Sequence, residues 1–386
     1  MASDSSGGQS AIADLPAPPY PEALPGPAHL HFLFLAMDPV GYGRRLEESP
    51  DVCRYWLPGT GDVYNLARPD LMKRVVLTDR DAFAKSDDFS VAFGEGLLTV
   101  EGEEWQQQRN ILQPLFTRSS VLGYADGMVD QVQRRVDRWS DGQTLELQDE
   151  FTQMTLEVLA ATILGRELDL DGDRALRQAA ESLHDWFKPT SYVLPHWIPT
   201  PARRRFNRGK QTIRQEAQRL LDEKHGDAPT DPSEATDLLS LLVGLRESDA
   251  VEHTQHLTDE RLRDQMVTII FAGHDTTTTT LTFAYWAIAN HPDVREAFHA
   301  EVDALEGPPT VDDLDALPVT ESIVTETLRM FPAVYQLPRV ATRDVAVDGY
   351  RIPEGAAVHV PILALHRDER YYDEPDVFRL IAGMGH

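Results

Sequence analysis

Arg263 to Asn290 reads RDQMVTIIFAGHDTTTTTLTFAYWAIAN, and this stretch decides the fold. Its ends are strong helix sequence, nearly all apolar, so the helix is expected to be buried on most of its surface rather than amphipathic. Its middle is poor helix sequence. Gly273 costs about 1 kcal/mol relative to Ala in a helix interior, and Thr276 to Thr280 is a run of β-branched residues. Asp275 adds a carboxylate that needs a partner in a dry core. A core element that departs from local rules in its middle does so most often at a functional site. Threonine hydroxyls can bond back to carbonyls one turn earlier, so a kink or widening is expected around Gly273 to Thr276. The alternative is a buried helix with a satisfied polar patch.

Around this helix the chain is 386 residues long and 41% hydrophobic, enough for one large domain or two. Acidic residues outnumber basic ones 63 to 36, a net charge of -27. The only lysines are Lys73, Lys85, Lys188, Lys210 and Lys224. Acids spread along the chain, with Arg preferred to Lys, suggest a halophile-like surface kept soluble in a salty cytoplasm; a surface built for one partner would concentrate them. Nucleic acid is a poor partner for this charge balance, since binding it would need a basic face, and none is expected as a partner. Cys53 is alone, so no internal disulfide forms, and a small buried hydrophobe is its expected role. The apolar run His29 to Met37 is too short to cross a bilayer, so no membrane anchor is expected and the protein is placed in the cytoplasm. Residues 1–28, rich in Ser, Gly and Pro, are expected to form a disordered arm, and residues 29–386 a single domain.

Asp51 to Val63 carries short β-like pieces broken at Pro58-Gly59 and Gly61-Asp62, a hairpin signal. Pro69 to Leu77 reads as a short helix. Ser86 to Gly102 is an irregular loop with Phe89, Phe93, Leu97 and Leu98, which either tucks under the core or lines a ligand pocket. Helical spacing then runs over Glu103 to Phe116, Ser119 to Ser140, Leu147 to Leu164, Arg174 to Trp186 and Ala202 to His225. Phe187 to Pro201, with Tyr192, Trp197 and four prolines, is a loop. Beyond the central helix, Val319 to Met330 places Glu326 and Arg329 at i and i+3, on one helix face. Arg339 to Val360 switches to β alternation with turns at Asp348-Gly349 and Glu354-Gly355, a small antiparallel sheet. The fold class is mainly α with small antiparallel β-sheets at either end.

Together the motifs carry a resemblance. Ala272-Gly273-His274-Asp275-Thr276-Thr277, then Glu326-Thr327-Leu328-Arg329, then Arg339, resemble the cytochrome P-450 family of haem-thiolate monooxygenases. Trp105 to Arg109, Ala364 to Asp368 and Pro375 to Arg379 match as well, in the family's order, so the resemblance spans Asp51 to Arg379. It implies the cytochrome P-450 fold, incomplete at the C-terminus. It also implies a haem whose propionates are bound by Trp105, Arg109 and Arg339, with His366 a further contact and Ala272 and Gly273 against the cofactor. Arginine's fixed charge and fork geometry suit carboxylates. Asp275 and Thr276 would be the catalytic pair that manages proton delivery, a hydroxyl beside a carboxylate. The widened turn at Gly273 would leave room for dioxygen. Glu326, Arg329 and Arg367 would fix the fold beneath the haem. Phe89, Phe93, Leu97, Phe187, Tyr192, Ala333 and Val334 would line the substrate pocket, most of them apolar, so a hydrophobic substrate is expected.

One departure is sharp. The family's axial Cys lies in a loop of the form F-x-x-G-x-R-x-C-x-G, and no such loop follows Phe378-Arg379, so no metal ligand is present and the chain reads as truncated. Two functions follow from the resemblance. The first is a monooxygenase that inserts one oxygen atom of O2 into a hydrophobic substrate, as a monomer, with two electrons from a ferredoxin-type donor. The alternative is a non-catalytic remnant that binds an apolar ligand without thiolate-ligated haem.

Overall fold

The computed structural model describes residues 12–380 apart from 23–25, 32, 34–36, 38–44, 47, 87–89, 92, 170–172, 188–197, 225–236 and 248–257. They divide into two compact units: one of Met1–Asp88, Pro189–Ile198 and Arg329–Val377, the other of Phe89–Lys188, Pro199–Leu328 and Phe378–His386.

The first unit is built on β-strands. Strand β1 (Val52–Leu57) and β2 (Gly61–Leu66) form the expected antiparallel hairpin, with Tyr55 opposite Val63. Pro58 to Thr60 make its turn, and Gly59 takes the positive φ of 84° that a turn there requires. Helix α1 (Pro69–Lys73) follows, and its continuation Arg74–Thr78 is a π-turn. Beyond the short β3 (Phe83–Ala84), the remaining strands come from the far end of the sequence: β4 (Leu337–Ala341), β5 (Val345–Val347), β6 (Tyr350–Ile352) and β7 (Ala357–Val360). The two ends do not make separate sheets. β7 pairs antiparallel with β4 and parallel with β2, giving one five-stranded sheet in the order β1-β2-β7-β4-β3, while β5 and β6 form their own hairpin. Alternating side chains from both ends, among them Val52, Leu66, Val345, Val358 and Val360, fill one core. Cys53 is fully buried on β1, as expected, and burial pushes its thiol up to about 11.

The arm expectation fails over Pro16 to Tyr20. The Arg351 and Arg54 amides donate to the Pro16 and Pro19 carbonyls, each at 2.9 Å, and the Tyr20 hydroxyl donates to Asp62 at 2.7 Å. A proline-rich segment makes no internal hydrogen bonds, so its carbonyls stay available to neighbouring backbone.

The second unit is helical. It contains α2 (Gly102–Leu112), α3 (Arg118–Gly123), α4 (Ala125–Val136), α5 (Leu147–Leu159), α6 (Arg174–Ser182), α7 (Pro201–Lys224), α8 (Leu238–Glu247), α9 (Asp259–Asn290) and α10 (Pro292–Val302). Helix α11 (Pro318–Met330) begins in this unit and hands its last two residues to the other. Ser119 to Ser140 is two helices rather than one, divided at Tyr124. Leu156, Ile163, Phe206, Leu242, Met266 and Ile270 belong to one apolar core, with α9 running through it.

Helix α9 is α-helical for all 32 residues, and no widened turn interrupts it. The threonines explain why. Thr276 donates to Ala272 O, Thr278 to His274 O, Thr280 to Thr276 O and Thr282 to Thr278 O at 2.7–2.9 Å, so each hydroxyl is satisfied within the helix and its ladder is kept. The π-turns lie elsewhere, at Arg74–Thr78 and Ala160–Leu164.

Candidate active site

The middle of α9 presents two faces with different tasks. One face is the seam with α5. Gly273 sits where an added β-carbon would be 2.9 Å from Leu159 Cδ2, so its bare backbone permits close helix packing; the expected space for dioxygen is not what this glycine provides. His274 is buried, and its Nε2–H donates to Thr152 O at 2.9 Å. Burial pushes its imidazole down to about 4, so it is neutral. Thr278 meets Thr155 hydroxyl to hydroxyl at 2.8 Å, and Phe151 packs against Tyr285 with centroids 5.0 Å apart. His274 and Thr278 are thus hydrogen-bonded polar groups of this seam, and Gly273 packs against Leu159 there.

The other face carries Ala272, Asp275 and Thr276, all half-buried. Thr276 directs its proton to Ala272 O at 2.7 Å, which leaves the oxygen's lone pairs as acceptors. Asp275 forms an ion pair with Nε2 of His184, on the 3-10 turn Leu183–Phe187 that continues α6. Burial raises the Asp275 carboxyl above its ordinary value, and the charge of His184 pulls it the other way. Nothing in the local sequence around His184 marks it, because only the packing of α6 against α9 brings it to Asp275.

The loop before α2 is laid onto the first turns of α9. Gly94, with φ 74°, and Gly96 let the backbone approach so closely that β-carbons there would fall 2.2 Å from Asp264 Oδ2 and Thr268 Oγ1. The Glu95 amide donates to Asp264 at 3.0 Å, Leu97 N to Gln265 at 3.2 Å, and the Gln108 amide to Glu95 O at 3.0 Å. Sequence reasoning missed Asp264 and Gln265; a carboxylate and an amide on an otherwise apolar stretch were the available signal.

The loop's aromatic goes inward. Phe93 is wholly buried, stacked on Phe271 at 4.4 Å and edge-on to Phe206 at 6.1 Å, so it is a core residue rather than a pocket residue. Leu97 is partly buried against the same core. Phe89 and Tyr192 lie outside the described residues, and Phe187 closes the 3-10 turn after α6. In the other unit, Ala333 is half-buried and Val334 exposed.

On α2, the Arg109 guanidinium lies over the Trp105 ring, 5.4 Å from its centroid. Arg109 is exposed, and among the described residues no carboxylate pairs with it. A cation and an indole N–H on one helix face fit a carboxylate-bearing group such as a haem propionate. Arg339, on β4, is half-buried and donates to Pro338 O at 2.7 Å. The thiolate half of a haem site does not fit so well. Cys53 is buried in the sheet as a protonated thiol, which is unsuited to ligation.

Glu326 and Arg329 are both buried on α11. The Glu326 carboxylate accepts from the Arg379 amide at 3.0 Å. Arg329 donates to the carbonyls of His366, Pro375 and Val377 at 2.9, 2.8 and 3.3 Å, and stacks on Tyr372 at 5.3 Å. His366 is the last residue of α12 (Ile362–His366), and its Nδ1 lies 3.1 Å from Arg329 O, which groups it with this structural set rather than with the propionate donors. Arg367 donates to Met330 O at 3.0 Å and pairs with Asp376 at 2.7 Å.

A family model described as Cytochrome P-450 matches residues 18–380. The chain is 28% identical to a cyclooctat-9-en-7-ol 5-monooxygenase of Streptomyces melanosporofaciens, over 90% of this chain and 76% of that one. It is 29% identical to a pentalenene oxygenase of Streptomyces avermitilis, over 83% and 71%. A solved structure of a retinoic acid-bound cyanobacterial CYP120A1 superposes with a TM-score of 0.79 at 23% identity, covering 95% of this chain and 81% of that one. Among the described residues, no helix is long and apolar enough to cross a membrane.

Proposed function

This chain belongs to the cytochrome P-450 family, and from that premise we propose a monooxygenase that acts on a hydrophobic organic substrate, with Asp275 and Thr276 handling its protons. The observation that carries the reading is the Asp275–Thr276 face of α9. A half-buried carboxyl with a raised affinity for its proton exchanges that proton nearer neutral pH than an exposed one. Beside it, a hydroxyl whose hydrogen is committed to Ala272 keeps its oxygen as an acceptor.

Haem is the family's cofactor, and when bound it supplies the activation of O2 for insertion of one oxygen atom into a C–H bond. Trp105 and Arg109 would hold its propionates. Leu97 and Ala272 would face an apolar substrate, as the family resemblance implies. The relatives' names point to the same class, a hydrocarbon in one case and an alcohol in the other. Electrons would come from a ferredoxin-type partner. A net charge of -27 opposes self-association, in keeping with a cytoplasmic monomer.

The alternative, an apolar-ligand binder without thiolate-ligated haem, is favoured by one observation: the chain's single thiol is buried in β1. One experiment separates the two. The chain is expressed together with any coding sequence that continues it, supplied with haem, reduced and exposed to carbon monoxide. A Soret band at the thiolate position, with substrate-dependent oxygen uptake, supports the monooxygenase. Failure to take up haem, or a spectrum without thiolate ligation, overturns that reading in favour of the binder.

A further inference from the structure

The half-exposed His184 holds the half-buried Asp275, and it comes from a different element of the fold. We propose that His184 is a positioning residue that ties the protonation state of Asp275 to solvent pH and passes protons to it. As an imidazolium, His184 donates from Nε2 to Asp275 Oδ1. Transfer of that proton leaves a neutral imidazole and a neutral carboxylic acid, and water reprotonates the exposed ring. No other reactant is needed. The inference rests on the monooxygenase reading only for its consequence, which is that proton supply to the Thr276 face passes through a histidine.

Other charges on the surrounding elements are matched elsewhere. On α9 itself, His274 is neutral and bonded to Thr152 O. On α5, Glu157 pairs with Arg135 at 2.8 Å and with Arg177 of α6 at 3.0 Å, and Glu150 pairs with Arg135 at 2.9 Å. Glu181 of α6 accepts from Gln153 at 3.1 Å. Asp185, beside His184, is held by Arg205 of α7 at 2.6 Å. The charges of α10, Asp293, Arg295 and Glu296, are exposed. Among the described residues, His184 is the charge that acts on Asp275.

The test is a carbon-13 NMR titration of aspartate carboxyls in the full chain, with the Asp275 signal assigned by its loss in Asp275→Asn. In His184→Gln, Asp275 is expected to become about a tenfold weaker acid, because a neighbouring cation is lost. In His184→Arg, which keeps the cation, the midpoint is expected to stay at or below that of the unaltered chain. An unmoved midpoint in His184→Gln, with native circular dichroism, overturns the proposal. So does an Arg variant that shifts upward like the Gln variant. The titration needs no haem. A shifted midpoint in a protein without oxygenase activity upholds the His184–Asp275 coupling and counts only against the monooxygenase.

Discussion

Gly273 and Leu159 meet in the α5–α9 seam: a β-carbon on residue 273 would lie 2.9 Å from Leu159 Cδ2 and 3.3 Å from Cδ1. The obstacle is the end of a flexible side chain, so two effects compete. Alanine favours the helix by about 1 kcal/mol over glycine, and the overlap with Leu159 opposes it.

Gly273→Ala is accordingly expected to change stability by less than about 1 kcal/mol, while Gly273→Leu costs about 1–3 kcal/mol by overpacking. Leu159→Ala should let Gly273→Ala show its full helix gain. Thermal unfolding of the two single variants and the double variant checks this. A large loss in Gly273→Ala that Leu159→Ala does not relieve would show that the glycine has another role.

Arg329 supports three carbonyls, that of His366 at the end of α12 and those of Pro375 and Val377 in the segment after it. Arg329→Ala leaves buried acceptors without donors and is expected to cost about 3–5 kcal/mol. Arg329→Lys keeps the charge and loses the fork, so its loss should be smaller. Glu326→Gln retains an oxygen that can accept from the Arg379 amide, and it should be milder than Glu326→Ala. Unfolding midpoints would rank the four variants.

Two histidines, His274 buried and His359 half-buried, make the fold sensitive to acid. His274 and His359 are each pushed down to about 4 by burial, and the Tyr55 hydroxyl and the Gln336 side-chain amide both meet His359 at Nδ1. Their folded forms bind protons less readily than their unfolded forms. The stability they contribute is complete above the ordinary histidine value of 6.5 and is lost as pH falls toward about 4. Thermal stability should therefore decline across that window, with a slope that approaches the uptake of two protons. His359→Gln, which keeps an acceptor, should reduce the slope. A flat profile through the window would refute this account.

The Trp105–Arg109 pair is testable through haem retention. Arg109→Ala should weaken haem binding by about tenfold or more, since a charge-assisted bond is removed. Trp105→Phe keeps the ring beneath the guanidinium and removes only the indole N–H, so its effect should be smaller. Absorbance titration with haem measures both. Equal, unaltered binding in the two variants would remove this helix face from the cofactor site.

Much of the architecture was legible because it is local. The hairpin at Pro58-Gly59, the helix that ends before His291-Pro292 and the β alternation after Arg339 each follow from backbone preferences within a few residues. The kink expected in α9 was a local inference too. It failed because threonine hydroxyls can satisfy themselves on the preceding turn without opening the ladder. Residue type alone likewise left Phe93 between core and pocket; its stacking on Phe271 placed it in the core.

The sequence by itself determined the family and the mainly helical class, since these reside in residue types at short spacing. Tertiary structure alone decided which strands pair across the chain, that β7 joins β2, and that Gly273 serves packing. It also brought His184, 91 residues earlier in the chain, to the Asp275 carboxylate. Such pairings depend on loop closure over long separations, and they form only when two buried faces meet. No short-range pattern records them.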